Sequence, residues 1–492
     1  LTTKYQREVM SVCMREVVRQ SVNSGIYANA AIARNAIECD DFNQFGIMTS
    51  DDVRIARSLF EEYTTAINGS ADKNTIIITY SNARALEYNT RVRRSLFGPQ
   101  AERLVAGDLL IISRNNYAYS TELFNGTIVE VAVCATDDEV ERRTVHYYSR
   151  ERDNNGNSIV KKMALSFRSV TLEMDNGTLV KCQILDSFLT DEDGTPHPDL
   201  SQALYVDFTN RHPNLKRKST EYYDALKHDH YFNAVICKYG YAITGHKSQG
   251  GEWQNVYIDM GRTQSYQTSD FFRWAYTAIT RSNHLLYVAN APRFNQFSEM
   301  QVSAINKGGN IVFYTPQGLD FMDYRYKKIC TLCTNEGLNC HENRNNAYQH
   351  VLFITDNHGG SCTAQLYYGK NGYTGHDTIT NSSSPELKEC VSNIIFRSLI
   401  PDEMPFIDSN ERLSKLYQHI DRLATEAGLT ILNIVCLHYV DRFFMTNGAD
   451  LETISFQYNG KERYTNCTLQ STAGLNDIAL SRFREELTKQ IN

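Results

Sequence analysis

Residues 242–253 read AITGHKSQGGEW, and residues 273–283 read RWAYTAITRSN. In the first stretch an apolar run ends at Thr244 and breaks into the polar loop Gly245-His246-Lys247-Ser248-Gln249-Gly250, followed by the acid Glu252. In the second, apolar and aromatic side chains at helical spacing end at Arg281, and the strand-like LLYVAN follows. Working outward, ICKYGYAIT reads as a strand running into Gly245, NVYID as the next strand, and SDFFRWAYTAIT as a helix with Ser269 as its N-cap. Strands alternating with helices on this scale build a parallel sheet with helices on its faces, so the fold class expected here is α/β.

Together the two stretches resemble the fifth and sixth motifs of superfamily 1 helicases, in the RecD-like branch. The resemblance implies the second of two RecA-like domains in an ATP-dependent DNA helicase, with ATP and Mg2+ as cofactors and single-stranded DNA as partner. It implies that Thr244 and His246 contact the strand backbone, since hydroxyl and imidazole groups hold phosphate without reading bases. It gives Glu252 the nucleotide ribose, with Gly250 beside it. Arg281 becomes an arginine finger on the transferring phosphoryl group, a role whose loss costs about 10³–10⁵ in rate. Upstream, Arg19-Gln20 followed by Ser24-Gly25-Ile26 resembles the fourth motif, which places Arg19 on the γ-phosphate and Gln20 at the nucleotide. A guanidinium suits that role because it is always charged and donates in a fork.

A nucleotide-hydrolysing P-loop needs Gly-x-x-x-x-Gly-Lys-Ser/Thr, and no such run occurs in the 492 residues. The chain also opens at Leu1 on a helical pattern. The expectation is therefore a C-terminal portion of a longer polypeptide, with phosphate and magnesium ligands in an N-terminal RecA-like domain of the same protein.

Length suggests roughly three domains at about 150 residues each. A hydrophobic share of 41% and a charged share of 22% are ordinary for a globular protein. Net charge is −7, so only local charge can speak for nucleic acid. Twelve cysteines without a regular framework suit a reducing cytosol. No apolar run spans a bilayer and no signal peptide opens the chain, so a cytoplasmic protein without a membrane partner is expected.

Residues 1–103 read as the first part of the helicase domain. DDVRIARSLFEEYTTAI (51–67) is predicted as one helix, capped by Ser50 or Asp51. NTIIITYSNARALEYNTRVRRSLFG (74–98) reads strand, turn, helix, with Gly98 as the stop. Ser81 and Asn82 fall at that strand's carboxyl end, where they reach a DNA phosphate or cap the helix. Over 104–235 the period changes to short alternating stretches between Gly, Asn and Asp turns, predicting a small antiparallel barrel. GDLLIISRNN followed by LFNGTIVEV is similar to the SH3-like insertion of RecD-like helicases. The basic stretch RHPNLKRKS (211–219) reads as a solvated loop, with a phosphate contact as the alternative. The helicase domain resumes over 236–295.

Residues 296–492 hold an internal repeat. An offset of 91 positions carries Ile329 onto Ile420, Gly337-Leu338 onto Gly428-Leu429, and Tyr367, Gly369 and Lys370 onto Tyr458, Gly460 and Lys461. Each unit reads helix, Gly-Leu turn, two or three strands with a Gly-Lys hairpin, then a closing helix. A duplicated, pseudo-twofold accessory domain is expected, faintly similar in layout to TATA-binding protein, binding DNA or a protein partner. Cys330-x-x-Cys333 with Cys340-His341 has zinc-like spacing, but the repeat aligns these positions with Asp421, Ala424, Ile431 and Leu432, which argues for packing. The rival to the motor reading is a non-catalytic scaffold that retains a helicase-like domain. The 5′-to-3′ polarity rests on the resemblance alone.

Overall fold

The computed structural model describes residues 24–152, 158–191, 196–304, 311, 314–316, 318–369, 374, 376–402, 410–474 and 477–491. Two compact units meet in the sequence between Arg293 and Phe294. Arg19 and Gln20 lie outside the described residues.

The first unit begins with α1 (Gly25–Glu38). The Ser24 hydroxyl accepts from the Ile26 and Tyr27 N–H groups and donates to Asp52 at 2.6 Å. Next come β1 (Val53–Ile55), α2 (Leu59–Ile67), β2 (Thr75–Thr79) and α3 (Asn82–Phe97). The single helix predicted over 51–67 is corrected here. Val53–Ile55 pairs parallel with Leu286–Val288, and Ser58 caps a shorter helix. The β-branched Val53 and Ile55 alternate with Arg54, a strand signal only three residues long inside a pattern that also fits a helix. Gly98 ends α3 at φ 54°, as the stop signal predicts.

After α3 the chain leaves this layer and makes β3 (Leu109–Ile112), β4 (Ile128–Cys134), β5 (Glu141–Arg152), β6 (Ser158–Glu173) and β7 (Leu179–Leu185). Two helices follow, α4 (Leu200–Arg211) and α5 (Thr220–His228), then β8 (Cys237–Tyr239). β6 pairs β4, β5 and β7, and β8 pairs β3. Val235 bridges Ile184 of β7, which closes β7, β6, β4, β3 and β8 into a ring. Strands alone do not make this segment: α4 and α5 are absent from the sequence reading, and the ring takes in β8, beyond residue 235. Arg211 of the basic stretch ends α4 and is engaged by Asp229 and Asp207, while Lys216, Arg217 and Lys218 are exposed.

The chain then re-enters the first layer as β9 (Ala242–Thr244), β10 (Trp253–Asp259), α6 (Ser269–Ile279) and β11 (Ser282–Ala289). ICKYGYAIT, expected as one strand, is two strands in two sheets. The hand-over is at Gly240, where a Cβ would stand 3.2 Å from the Leu110 carbonyl carbon. The N-cap of α6 is Thr268, one residue before the expected Ser269. The layer is a five-stranded sheet, order β1-β11-β10-β2-β9, with every pairing parallel.

A buried ion pair ties exit to return. Arg93 of α3 donates to Asp108 at 2.8 and 2.9 Å and to the Ala101 and Arg103 carbonyls. Asp108 also accepts from the Tyr241 hydroxyl at 3.0 Å and the Val105 N–H at 3.1 Å. The Arg93 guanidinium lies 3.8 Å over the Tyr239 ring.

The second unit contains β12 (Gln301–Ala304), α7 (Phe321–Asn335), β13 (Asn339–Asn346), β14 (Gln349–Thr355), β15 (Ser361–Tyr367), β16 (Thr378–Thr380) and α8 (Pro385–Arg397). It continues with α9 (Glu411–Ala427), β17 (Thr430–Leu437), β18 (Val440–Thr446), β19 (Leu451–Tyr458), β20 (Tyr464–Ser471) and α10 (Ile478–Ile491). Both halves run helix, four antiparallel strands, helix, where two or three strands were expected. Gly337 and Gly428 follow the first helices at φ 73° and 84°. The offset of 91 maps β13 onto β17 and β14 onto β18 residue for residue. It slips by one in the third strand. Ile354 faces Cys362, but its counterpart Met445 faces Glu452. Lys370, in the expected Gly-Lys hairpin, lies outside the described residues.

Each half has its own core between helices and sheet. A third cluster joins them: Phe321, Tyr324 and Phe396 from the first half's helices pack with Val435, Phe444 and Leu451 of the second sheet. Helix layer meets sheet face, a head-to-tail contact in place of the expected twofold, in which like surfaces would meet. Cys330 and Cys333 sit in α7 and Cys340 in β13, with the Cys333 and Cys340 thiols in contact. Among the described residues no His, Cys, Asp or Glu cluster is arranged to hold a metal ion, and no helix is long and apolar enough to cross a membrane.

Asp108→Ala leaves the Arg93 charge buried and unpaired, which costs about 3–5 kcal/mol. Urea denaturation of the full chain should show this loss, and Asp108→Asn, which keeps the shape, should cost less. Equal midpoints for Asp108→Ala and the parent would mean the pair holds nothing together.

Candidate nucleotide and nucleic-acid site

The parallel sheet sorts the predicted residues to two edges. β2 and β9 end side by side, with Thr79 opposite Thr244, and the Gly245 N–H donates to the Thr79 carbonyl at 3.1 Å. At this carboxyl edge stand Thr244, His246, Ser81 and Asn82. β10 and β11 begin at the other edge, where Glu252 and Arg281 precede Trp253 and Ser282. The loop from Gly245 to Gly251 connects the two.

At the carboxyl edge Thr244 is buried and His246 is exposed. The Ser81 hydroxyl caps α3 by accepting from the Arg84 N–H at 3.2 Å, so its first engagement is the helix, and Asn82 begins that helix. Gly245 lies flat against Trp274 of α6, where a Cβ would fall 2.3 Å from the indole nitrogen. The Trp274 N–H is buried and, among the described residues, has no hydrogen-bond partner. A cleft of about 370 Å³ opens here, lined by Tyr80, His246, Gln249, Arg273, Trp274 and Thr277. Tyr80 meets Trp274 edge-on at 5.4 Å, and the Arg262 guanidinium lies 4.3 Å over the Tyr80 ring. Aromatic faces beside cations and an unspent donor suit a nucleic-acid strand.

Tyr80, Arg273 and Lys247 are site residues that the sequence reading did not select. Tyr80 is adjacent to Ser81, and only its ring contact with α6 distinguishes it. Lys247 sits in a recess with Asn82, Thr244 and Lys238. Burial, with Lys238 nearby, pulls its ammonium down to about 8. An unneutralised, half-buried lysine beside a helix N-terminus is matched to an anion.

At the amino edge Gly250 takes φ +86° with open space around it. The exposed Glu252 carboxylate accepts from the Asn283 amide at 2.9 Å. Arg281 is 9% exposed. Its guanidinium donates to the Thr277 carbonyl at 2.9 Å, the Gly251 carbonyl at 3.0 Å and the Thr280 hydroxyl at 3.1 Å. Arg281 is thus held against the end of the Gly245–Gly251 loop by backbone carbonyls.

Residues 239–289 match the family of the UvrD-like helicase C-terminal domain. Residues 410–487 match the TATA-binding-like protein domain of the TOTE conflict systems. No curated protein matches the chain. Among solved structures, the Pif1 helicase from Bacteroides in complex with ADP-AlF3 and ssDNA aligns at 13% identity and a TM-score of 0.27, covering 56% of this chain and 51% of that one. The Pif1 helicase from Candida albicans aligns at 13% identity and a TM-score of 0.24, covering 56% and 55%. The chain spans about half the length of these two helicases.

Gly245→Ala must push the indole aside and should cost about 1–3 kcal/mol. Gly250→Ala meets no atoms and should cost about 1 kcal/mol through its φ alone. Denaturant midpoints with Trp fluorescence check the order, and the reverse order would disprove the close packing of Gly245 on Trp274. Lys247 supplies a pH test. Its folded pKa lies below the unfolded one, so between about pH 8 and 10.5 the unfolded chain binds more protons and stability rises with pH. Lys247→Met should flatten that rise and stabilise the chain most below pH 8; parallel wild-type and variant curves from pH 7 to 10.5 would contradict it.

Proposed function

We propose that the first unit is the second motor domain of a superfamily 1, RecD-like ATP-dependent DNA helicase. In this reading residues 104–235 form its SH3-like insertion, and residues 296–492 are a duplicated accessory domain that binds DNA or a protein partner. The observation that carries it is the sheet between residues 239 and 289. The helicase-type match falls on the segment whose loop joins a strand-binding edge at Thr244 and His246 to an arginine edge at Glu252 and Arg281. ATP and Mg2+ would be held chiefly by a P-loop domain carried elsewhere in the same protein. Single-stranded DNA would run along the carboxyl edge past His246, Tyr80 and Trp274, polarity 5′ to 3′. The match of 410–487 to a domain of conflict systems suggests that the motor works in such a system.

Chemically, a motor needs the two edges to be mechanically linked. One loop of seven residues, Gly245 to Gly251, touches both the strand edge and Arg281. For Arg281 to act on a phosphoryl group, its hydrogen bonds to Gly251 and Thr277 must exchange for the phosphate. That exchange would pull directly on the strand-binding loop. Charge developing on the phosphoryl group and the passive grip on a strand are different demands, which separates the roles of Arg281 and His246.

The chain of 492 residues alone should show no ATP hydrolysis stimulated by single-stranded DNA. In the protein with its P-loop domain, Arg281→Ala should lower turnover by about 10³–10⁵ and leave DNA affinity nearly intact. His246→Ala should instead weaken the DNA stimulation of hydrolysis more than nucleotide affinity. Identical profiles for the two variants would refute the two-edge assignment, and Arg281-dependent hydrolysis by the chain alone would favour a complete enzyme over half of one.

A further inference from the structure

The two sheets of the second unit have different neighbours on the face turned away from their own helices. On the second sheet that face is covered: Val435, Phe444 and Leu451 pack against the helices of the first half. On the first sheet it is open. Phe353, the counterpart of the buried Phe444, is 41% exposed in the central strand β14, and Tyr367 on β15 is 37% exposed. Phe353 faces Thr363 across the pair, which sets the two rings four residues, about 13 Å, apart along the strands. Tyr348, at the β13–β14 turn, is 49% exposed.

The rest of the face is informative by its charge. Its side chains are mostly hydroxyls and amides such as Gln349, Thr363 and Gln365, with Val351 on β14 and Arg344 and His341 on β13. None of the outward positions of β13 to β16 carries a carboxylate, in a chain of net charge −7. The nearby acids are turned from this face: Glu342 lies opposite the inward Leu352, Asp377 is engaged by the buried Arg325 and the Tyr367 N–H, and Asp356 by the Gly360 backbone. A second copy is a poor occupant. The helix positions that cover Phe444 begin with Phe321 and Tyr324, whereas the offset of 91 puts Arg412 and Lys415 there on α9, each tied in an ion pair.

We infer that the outer face of β13–β16 is a binding platform for single-stranded nucleic acid, with bases stacked on Phe353 and Tyr367 and phosphates drawn to Arg344 and His341. Rings lying on a sheet stack bases irrespective of sequence, amides and hydroxyls satisfy base edges, and the absence of carboxylates spares the phosphates any repulsion. The inference deepens the reading of residues 296–492 as a domain that binds DNA or a protein partner and rests on it, but not on the motor reading, because it uses no residue of the first unit.

The test uses the full chain with a 12-nucleotide oligothymidylate carrying 4-thiothymidine, photo-cross-linked and mapped by peptide. Wild type should label peptides within residues 341–367, and His246→Ala should leave that label in place. Phe353→Ala/Tyr367→Ala should lose most of it, needing roughly tenfold or more oligothymidylate to reach the wild-type label. Both side chains point outward, so an unchanged circular dichroism spectrum and denaturation midpoint are expected of the variant. Arg344→Glu should weaken the same label and reduce its salt dependence. Absence of label between 339 and 380 in wild type would overturn the proposal, as would full label in the folded double variant. Equal competition by a 12-base-pair duplex would overturn the single-strand assignment. Loss of the label in His246→Ala alone would assign it to the first unit instead.

Discussion

Asp108 is the residue on which the first unit turns. The chain leaves the parallel sheet after α3, builds a closed ring of strands and two helices, and returns at Tyr241 more than a hundred residues later. Both ends of that excursion meet at one carboxylate, which takes the Arg93 fork and the Tyr241 hydroxyl together. A buried charge of this kind tolerates no partial solution, since either partner alone is left desolvated. The arrangement sets where β9 enters the sheet, and therefore where Thr244, Gly245 and His246 stand. Asn89 of α3 repeats the device one layer up, with its side chain accepting from the Tyr241 and Ala242 N–H groups and donating to the Ala242 carbonyl.

From that anchor the site follows by strand direction. Parallel pairing puts every strand's carboxyl end at one edge, so the loop after β9 and the turn after β2 become neighbours although 165 positions separate the paired Ile78 and Ile243. The same rule sends the start of β10 and β11 to the far edge. A loop of glycines spans the two because larger side chains would collide: Gly245 with Trp274 and Gly251 with Trp253. α6 lies beneath the loop and contributes to both ends, Trp274 at one and Arg281, just past its last turn, at the other.

The second unit shows how a repeat need not behave symmetrically. Matched sequence gives matched elements, yet the contact between halves joins helices to a sheet. One outer sheet face is consumed by that contact and the other is left free. On the buried face Phe444 lies in a core. On the open face the counterpart Phe353 stays aromatic beside hydroxyls and amides, a composition that suits bases and not a helix.

Read without coordinates, the chain discloses much of this. The run from Thr244 to Glu252 and the helix ending at Arg281 disclose an α/β layer, because glycine loops and strand–helix alternation are local signals. The 91-residue offset places both halves of the second unit, since turns and apolar positions recur with it. Local signals cannot say which sheet a strand joins. ICKYGYAIT divides between two sheets at Gly240 because Leu110 presses on its backbone, and Val53–Ile55 becomes a strand because Leu286–Val288 lies open to pair with it. Tyr80 and Lys247 join the site through contacts across the chain, with Trp274 and Lys238. The one-residue slip at Glu452 and the head-to-tail stacking of the halves likewise belong to tertiary structure alone. Pairing register and face coverage depend on what arrives from distant sequence, and no periodicity within a segment encodes that.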